Sequence, residues 1–435
     1  MRTGIWFTCF VLLLTLTIAP APIGAAPGKD DQFEALRRFS QVVDLVETHY
    51  VKKVSKAELI QNSIKGMLEQ LDPHSAFLTS DDFKELQVSS SGAFQGIGIE
   101  ISSENGRLVV VTPIEDTPAF KAGLKSGDII LEIDGESTLE LGLNESVKKI
   151  RGPQGTSVTL TILHKGDQQP KDITIARGTI PIVSVKTQEL DKGFVMCRIT
   201  RFNEHTTKEL RDKLAEYAKK TPIQGIVLDL RNNPGGLLDQ AVSVTDTFLA
   251  DGLIVYIQGK DPQSRRDFMG RKEAGDVTQV PIVTIINAGS ASAAEIVAGA
   301  LQDRKRSLLI GEKTFGKGSV QTVVSLPDGS GIKLTTALYY TPNGRSIQAE
   351  GIVPDLEFPF VAPASEEDKN LKDRFTFREK DLNRHLENGS GKKAKKGAKP
   401  VQGLDETATK MLEKDNQLRL ALEMVKTLPK IRDIR

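Results

Sequence analysis

The chain of 435 residues carries 58 lysines and arginines against 57 acidic residues, a formal net charge of +1. That balance excludes a basic field for nucleic acid and the acidic excess of a disordered chain, and at roughly 100–200 residues per domain the length excludes a single small scaffold. Two cysteines, Cys9 and Cys197, are too few for a disulfide framework or a cysteine-built metal site.

The chain opens Met-Arg-Thr-Gly, runs apolar from Ile5 to Ala19, and turns to small residues and prolines from Ala21 to Pro27. That run falls short of the roughly 20 residues that span a bilayer. The order predicts a secretory signal peptide over residues 1–26, cut near Ala25 or Ala26. A retained anchor is the alternative, because Ile23 or Gly24 stands upstream in the expected Ala-x-Ala site. Cleavage would remove Cys9 and leave Cys197 without a partner for an internal disulfide.

Residues 30–85 read as a helical region. Phe33, Leu36, Phe39, Val43, Val46 and Tyr50 recur at helical spacing. A second helix starts at Ser55, paired with Glu58 as a capping box, carries Leu59, Ile60, Ile64, Met67, Leu68 and Leu71, and stops at Asp72-Pro73. The two apolar faces need cover, from this chain or from a second subunit. At the other end, residues 361–403 predict a charged flexible linker. Leu404, Ala408, Met411, Leu418, Leu422 and Val425 restore helical spacing within 404–435.

Between these ends, residues 88–178 predict a small partly open sheet. Phe94-Gln95-Gly96-Ile97-Gly98-Ile99-Glu100-Ile101 places two glycines before an alternating strand, so backbone N–H groups can face outward as a receptor for a carboxylate. A strand at Ile129–Ile133, a turn at Asp134-Gly135, a helix at Leu143–Ile150 and a strand from Val158 to Leu163 follow. The stretch resembles a PDZ domain. The resemblance implies that a peptide C-terminus adds as a strand beside Ile97 and Ile99, its carboxylate held around Gly96 and Gly98. Its last side chain would enter a pocket bounded by Val147 and Ile150, with Arg151 placed to contact the peptide or a neighbouring domain.

Residues 179–360 contain the same unit twice: an apolar strand, a glycine turn and a helix. Gln224 to Leu230 leads through Arg231-Asn232-Asn233-Pro234-Gly235-Gly236 into a helix from Leu237, and Pro281 to Ile286 leads through Asn287-Ala288-Gly289-Ser290-Ala291-Ser292 into a second. Both helices would start at one edge of a mostly parallel sheet, their positive ends facing a common cleft where negative charge on a reacting oxygen is stabilised. Gly316-Lys317-Gly318-Ser319-Val320-Gln321 then opens a strand on which alternation sends Lys317, Ser319 and Gln321 to one side. The flanking glycines suggest that Lys317 has little local cover.

Together the Asp229–Gly236, Gly289–Ile296 and Gly316–Gln321 motifs resemble the carboxyl-terminal processing, or tail-specific, serine peptidases, in the family's own order. The resemblance implies a multidomain α/β chain: N-terminal helices, a PDZ-like partly open β-barrel, a ClpP/crotonase-like α/β protease core and a C-terminal helix. Position by position it puts the nucleophile on Ser292, the general base on Lys317 and the lysine's positioning partner on Gln321. Ala293 would donate one N–H to the tetrahedral oxygen, and Gly235 or Gly236 the second. Ser290 is the rival nucleophile. Ala294 departs from the serine that many relatives carry there, outside the dyad.

The chemistry requires a neutral amine, since an ammonium cannot take the serine proton. Bringing a lysine from about 10.4 to about 7 or 8 costs about 4 kcal/mol, which desolvation in an apolar cleft can supply. A carboxamide at Gln321 orients the amine without adding the negative charge that would hold its proton. None of the five histidines, His49, His74, His164, His205 and His385, lies in the three motifs, so a histidine triad is not expected.

The expectation is an exported endopeptidase of the periplasm or the extracytoplasmic face of the inner membrane, acting on proteins with exposed C-terminal tails. No metal, cofactor or nucleic acid is expected. The resemblance implies a homodimer or larger homo-oligomer, and an adaptor protein stays open. A tail bound to the PDZ-like module could regulate cleavage through the segment Thr179 to Val185, which could equally be rigid. The competing readings are a tail-binding scaffold that no longer cuts and a crotonase-like acyl-CoA enzyme; export and the lack of a nucleotide motif oppose the latter.

Overall fold

The computed structural model describes residues 29–104, 106–273, 275–362 and 406–432. The expected signal peptide with Cys9, nearly all of the expected linker and His385 lie outside the described residues. Those that are described divide after Ala76 into two compact units.

The first unit holds α1 (Lys29–His49) and α2 (Lys56–Glu69). The Ser55 hydroxyl accepts the Glu58 N–H at 3.2 Å, one of the two bonds of the expected capping box, and Lys56 bridges Asp44 and Glu47. Of the apolar stripes, Val43 and Leu68 are buried, while Phe33, Leu36, Phe39, Tyr50, Ile60, Met67 and Leu71 stay exposed.

The second unit begins with α3 (Ser80–Ser91), capped by reciprocal Thr79 and Asp82 bonds and closed by Gly92 at φ 69°. No apolar stripe announces this helix in the sequence, and none of its residues is buried. The PDZ-like sheet follows: β1 (Ala93–Gly96), β2 (Ile99–Glu104), β3 (Arg107–Pro113), β4 (Ile129–Ile133), α4 (Leu143–Ile150), β5 (Ser157–Leu163), β6 (Lys171–Ala176) and β7 (Gly178–Pro181). Strands β2 to β6 lie side by side in that order. Along β5, Val158, Leu160 and Ile162 are fully buried and the residues between them are not, the period of two of a half-covered sheet. Strand β7 pairs back onto β1, and the Ile182 N–H reaches the Gly92 carbonyl at 2.8 Å. Thr179, Ile180 and Pro181 of the segment Thr179 to Val185 therefore belong to one strand of a two-stranded ribbon.

The core sheet is built from β8 (Val185–Asp191), β9 (Phe194–Ile199), β10 (Gly225–Asp229), β13 (Ile282–Ile286), β14 (Ser307–Gly311) and β17 (Leu356–Glu357), in that spatial order. All pairs are parallel except β8 with β9. Strands β10 and β13 are buried at every residue, as continuous apolar runs in a parallel sheet require, because helices cover both faces. Between the strands run α5 (Thr206–Lys220), α6 (Leu238–Asp246) and α7 (Ala293–Asp303). A second, antiparallel sheet holds β11 (Asp251–Gly259), β12 (Arg266–Arg271) and the hairpin β15 (Ser319–Ser325) and β16 (Gly331–Tyr340).

Helices α8 (Glu406–Lys414) and α9 (Asn416–Arg432) end the described chain. Leu418, Ala421, Leu422 and Val425 of α9 form one buried cluster with Met196, Val227, Val283, Ile285 and Ile310 of the sheet. Among the described residues no helix is long and apolar enough to cross a membrane.

Candidate active site

Because β10 and β13 are adjacent and parallel, the loops leaving their carboxyl ends meet above the sheet, where open α/β sheets hold their ligands. A cavity of about 390 Å³ lies there. Gly235, Gly236, Ser292, Ala293, Lys317 and Gln321 all line it, so the six residues assigned to catalysis from sequence converge on one space.

Ser292 caps α7 with φ 56° and ψ −116°, a backbone conformation that costs a serine about 1–3 kcal/mol. Its N–H donates to Glu295 Oε2 at 2.7 Å, and the Ala291 N–H beside it donates to the Asn233 carbonyl. A Cβ on Gly235 would stand 2.7 Å from the Ser292 Cβ, so only glycine lets the two loops approach this closely. The Gly235 N–H is itself donated to Asn233 Oδ1 at 2.9 Å. That engagement narrows the expected oxyanion donors to Ala293 and Gly236.

Ser290 has a different task. Its hydroxyl is fully buried, donates to the Leu230 carbonyl at 2.8 Å and accepts the Asn287 N–H at 3.0 Å, and it does not line the cavity. It ties the loop after β13 to the end of β10.

Lys317 is half-buried rather than uncovered. Gly318 is there because a Cβ would meet the Gln348 backbone N at 2.3 Å, and Gly316 holds φ 95°. The glycines thus permit tight packing of the loop. Glu295 clamps it: one oxygen accepts Thr314 Oγ1 at 2.5 Å and the Gly316 N–H at 2.7 Å, the other the Ser292 N–H and the Lys317 N–H at 2.7 and 2.9 Å. Burial pushes the Glu295 carboxyl above the ordinary range, against the pull of these four donors. The Ser292-x-x-Glu295 spacing is a capping-box signal legible in sequence; its reach to the lysine loop is not.

Gln321 Nε2 donates to Ser319 Oγ at 2.9 Å and Thr335 Oγ1 at 3.3 Å. Both bonds use the amide nitrogen, which leaves the carbonyl oxygen as the acceptor for an amine. A bulge between Val320 and Gln321 breaks the strand's alternation, and Val320 lines the cavity together with Ser319 and Gln321. Three contributions went unseen in the sequence. Leu86, Ser89 and Ser90 of α3 form part of the wall, Arg201 stands among the lining residues, and the Tyr339 hydroxyl lies 2.8 Å from Ser292 Oγ. No histidine lines this cavity.

In the PDZ-like sheet a second cavity of about 390 Å³ is lined by Gly96, Ile97, Gly98, Ile99, Val147, Ile150 and Arg151, all seven residues assigned to tail binding. Gly98 takes φ 82°, and a Cβ there would strike Thr117 at 2.4 Å. The Arg151 guanidinium sits over the Phe94 ring, 5.0 Å from its centre.

Three family models match the chain: peptidase family S41 over residues 194–358, PDZ domain over 95–175, and the activating protease CtpB N-terminal domain over 22–82. The chain is 45% identical over 361 residues to a carboxy-terminal-processing protease of Bartonella bacilliformis, covering 82% of each. It is 35% identical to the carboxy-terminal processing protease CtpA of Bacillus subtilis, covering 83% of this chain and 80% of that one. Among solved structures it is similar to a photosystem II D1 C-terminal processing protease at 30% identity, TM-score 0.43, covering 76% of this chain and 88% of that one. The chain belongs to the carboxy-terminal processing proteases of peptidase family S41 and is a serine peptidase with a PDZ domain.

Proposed function

We propose that this serine peptidase is an exported endopeptidase in which Ser292 is the nucleophile, Lys317 the general base and Gln321 the group that orients the lysine. The observation that carries the reading is the shared cavity: Ser292, Lys317, Gln321, Ala293 and Gly236 line one space whose two loops are pinned by the same carboxylate. Lys317 takes the Ser292 proton as Oγ bonds to the carbonyl carbon, and the N–H groups of Ala293 and Gly236 stabilise the tetrahedral oxygen. Collapse expels the amine, which receives that proton. Water then cleaves the acyl-enzyme.

Substrates are proteins with exposed C-terminal tails, read by adding a strand to β2 and seating the last side chain between Ile97, Val147 and Ile150. The exposed apolar face of α1 and α2 fits a homodimer or larger assembly. The N-terminal sequence supports export to the periplasm or the outer face of the inner membrane.

The test uses the purified enzyme with casein and a cleavable peptide. Ser292→Ala and Lys317→Met each abolish hydrolysis under this reading while the fold persists; full activity in either variant overturns it. A peptide amidated at its C-terminus is cut more slowly than the free acid, and equal rates would remove tail reading.

A further inference from the structure

Tyr339 is hydrogen-bonded to the proposed reacting atom, and the proposed dyad does not use it. It lies on β16, the residue is 3% exposed, and its hydroxyl lies 2.8 Å from Ser292 Oγ. Its backbone N–H donates to the Gly318 carbonyl at 2.9 Å, directly beside Lys317. One strand thus fixes this phenol against both the serine and the lysine loop.

Each hydroxyl in the pair has one hydrogen, so one donates and the other accepts. If Ser292 donated, its proton would point at the tyrosine and away from any base. A phenol is the more acidic of the two and the better donor. Burial, reinforced by the nearby Glu295 charge and opposed by the bond to Ser292, holds its proton beyond the ordinary tyrosine range, so it stays a neutral phenol at working pH.

We propose that Tyr339 is a further catalytic residue, donating a hydrogen bond to Ser292 Oγ throughout the cycle; the assignment rests on Ser292 being the nucleophile. In acylation the bond occupies one lone pair of Oγ, turns the serine hydrogen toward Lys317 and leaves the other lone pair for attack. In deacylation Lys317 takes a proton from water, the hydroxide bonds to the ester carbonyl, and the carbon–Oγ bond breaks. Oγ leaves with the electron pair and recovers its proton from the lysine. Tyr339 keeps its own hydrogen and stabilises Oγ when it carries most charge, as a donor preorganised on a developing oxyanion does.

Tyr339→Phe removes one oxygen from the edge of a cavity and keeps the buried ring. On the full chain, kcat falls roughly 10- to 100-fold with KM within about twofold. The labelling rate of Ser292 by a fluorophosphonate drops in parallel, and the thermal midpoint stays near that of the parent. Because departure of Oγ is slowed, Ser292 acylated beforehand with an ester and freed of excess loses its acyl group more slowly than in the parent, read by peptide mass. A variant as fast as the parent, with no slower loss of the acyl group, reduces Tyr339 to packing and overturns the proposal. So does a variant faster than the parent, which would make the tyrosine a brake. If the parent hydrolyses nothing and its Ser292 is not labelled, the peptidase assignment of Ser292 fails and takes this inference with it. An active parent beside an unchanged variant removes Tyr339 alone.

Discussion

Ser292 and Lys317 hang their backbone N–H groups on the same oxygen atom of Glu295, at 2.7 and 2.9 Å. The two residues are 25 positions apart in sequence and sit on separate loops, one capping α7 and one leading into β15. A shared acceptor sets the spacing of those loops more stiffly than side-chain packing would, because three N–H donors and one hydroxyl converge on a single planar group.

Glu295→Gln is therefore not a conservative change. Each carboxylate oxygen faces two donors, so whichever end receives the amide NH2 sets hydrogen against hydrogen and leaves buried donors unmatched. A loss of about 2–4 kcal/mol follows, with hydrolysis reduced at least about tenfold as the loops separate. Urea unfolding and peptide turnover measured on the same preparation check both. A variant with full stability and full activity would show that the clamp is dispensable.

Gly235→Ala should behave quite unlike Gly135→Ala. At Gly235 the new methyl meets the Ser292 Cβ at 2.7 Å and the Ala291 carbonyl at 2.8 Å, whereas at Gly135 nothing lies within 4 Å. Both take positive φ, so both lose about 1 kcal/mol or more of backbone preference. Only Gly235→Ala displaces Ser292, the proposed nucleophile, and its activity falls by about 100-fold or more. Parallel assays of the pair separate strain from displacement.

The strands and helices of the core were legible because their burial is extreme: Gly225–Asp229 and Ile282–Ile286 are covered on both faces and read as unbroken apolar runs. Ser292, Lys317 and Gln321 stood out by motif, and the chain's folding brings them to one cavity. Helix α3 did not, since its sequence SDDFKELQVSSS has no buried residue to give it a period. Tyr339 was hidden for another reason. On a strand, an aromatic facing the core and one facing a cavity serine such as Ser292 look alike. The choice between Gly235 and Gly236 as proposed oxyanion donor is likewise closed to sequence, because it turns on a bond from Gly235 to Asn233.

The C-terminal helix is tied to the loop that leaves β10 for the cavity. Arg231, at the end of β10, donates to both oxygens of Asp229, to both oxygens of Asp415 and to Gln417. Burial opposes its charge, and the carboxylates of Asp229 and Asp415 outweigh that cost and hold the guanidinium above its ordinary value. Asp415 also accepts the Leu418 N–H at 2.9 Å, capping α9. Asp415→Ala removes the cap and half of the ion-pair network, at about 3–5 kcal/mol. Thermal unfolding reads the loss. A shift below about 1 kcal/mol would mean that the apolar face of Leu418, Leu422 and Val425 alone secures the helix.

Cys197 gives a prediction with a definite pH window. It lies in β9 with no exposed surface, and burial pushes its thiol from about 9 up to about 12. Above pH 9 the unfolded chain releases this proton while the folded chain retains it, so the contribution of this group to stability declines as pH rises from about 9 and is fully lost above about 12. The slope is about 1.4 kcal/mol per pH unit. Lysines and tyrosines titrate in the same range, so the readout is the difference between the parent and Cys197→Ala: their stabilities converge as pH climbs through that window. Iodoacetamide should leave Cys197 unlabelled in the native protein and label it in urea. Native labelling that also stopped hydrolysis would place a reactive thiol at the chemistry, where the lining of the cavity, from Ser292 to Tyr339, has none.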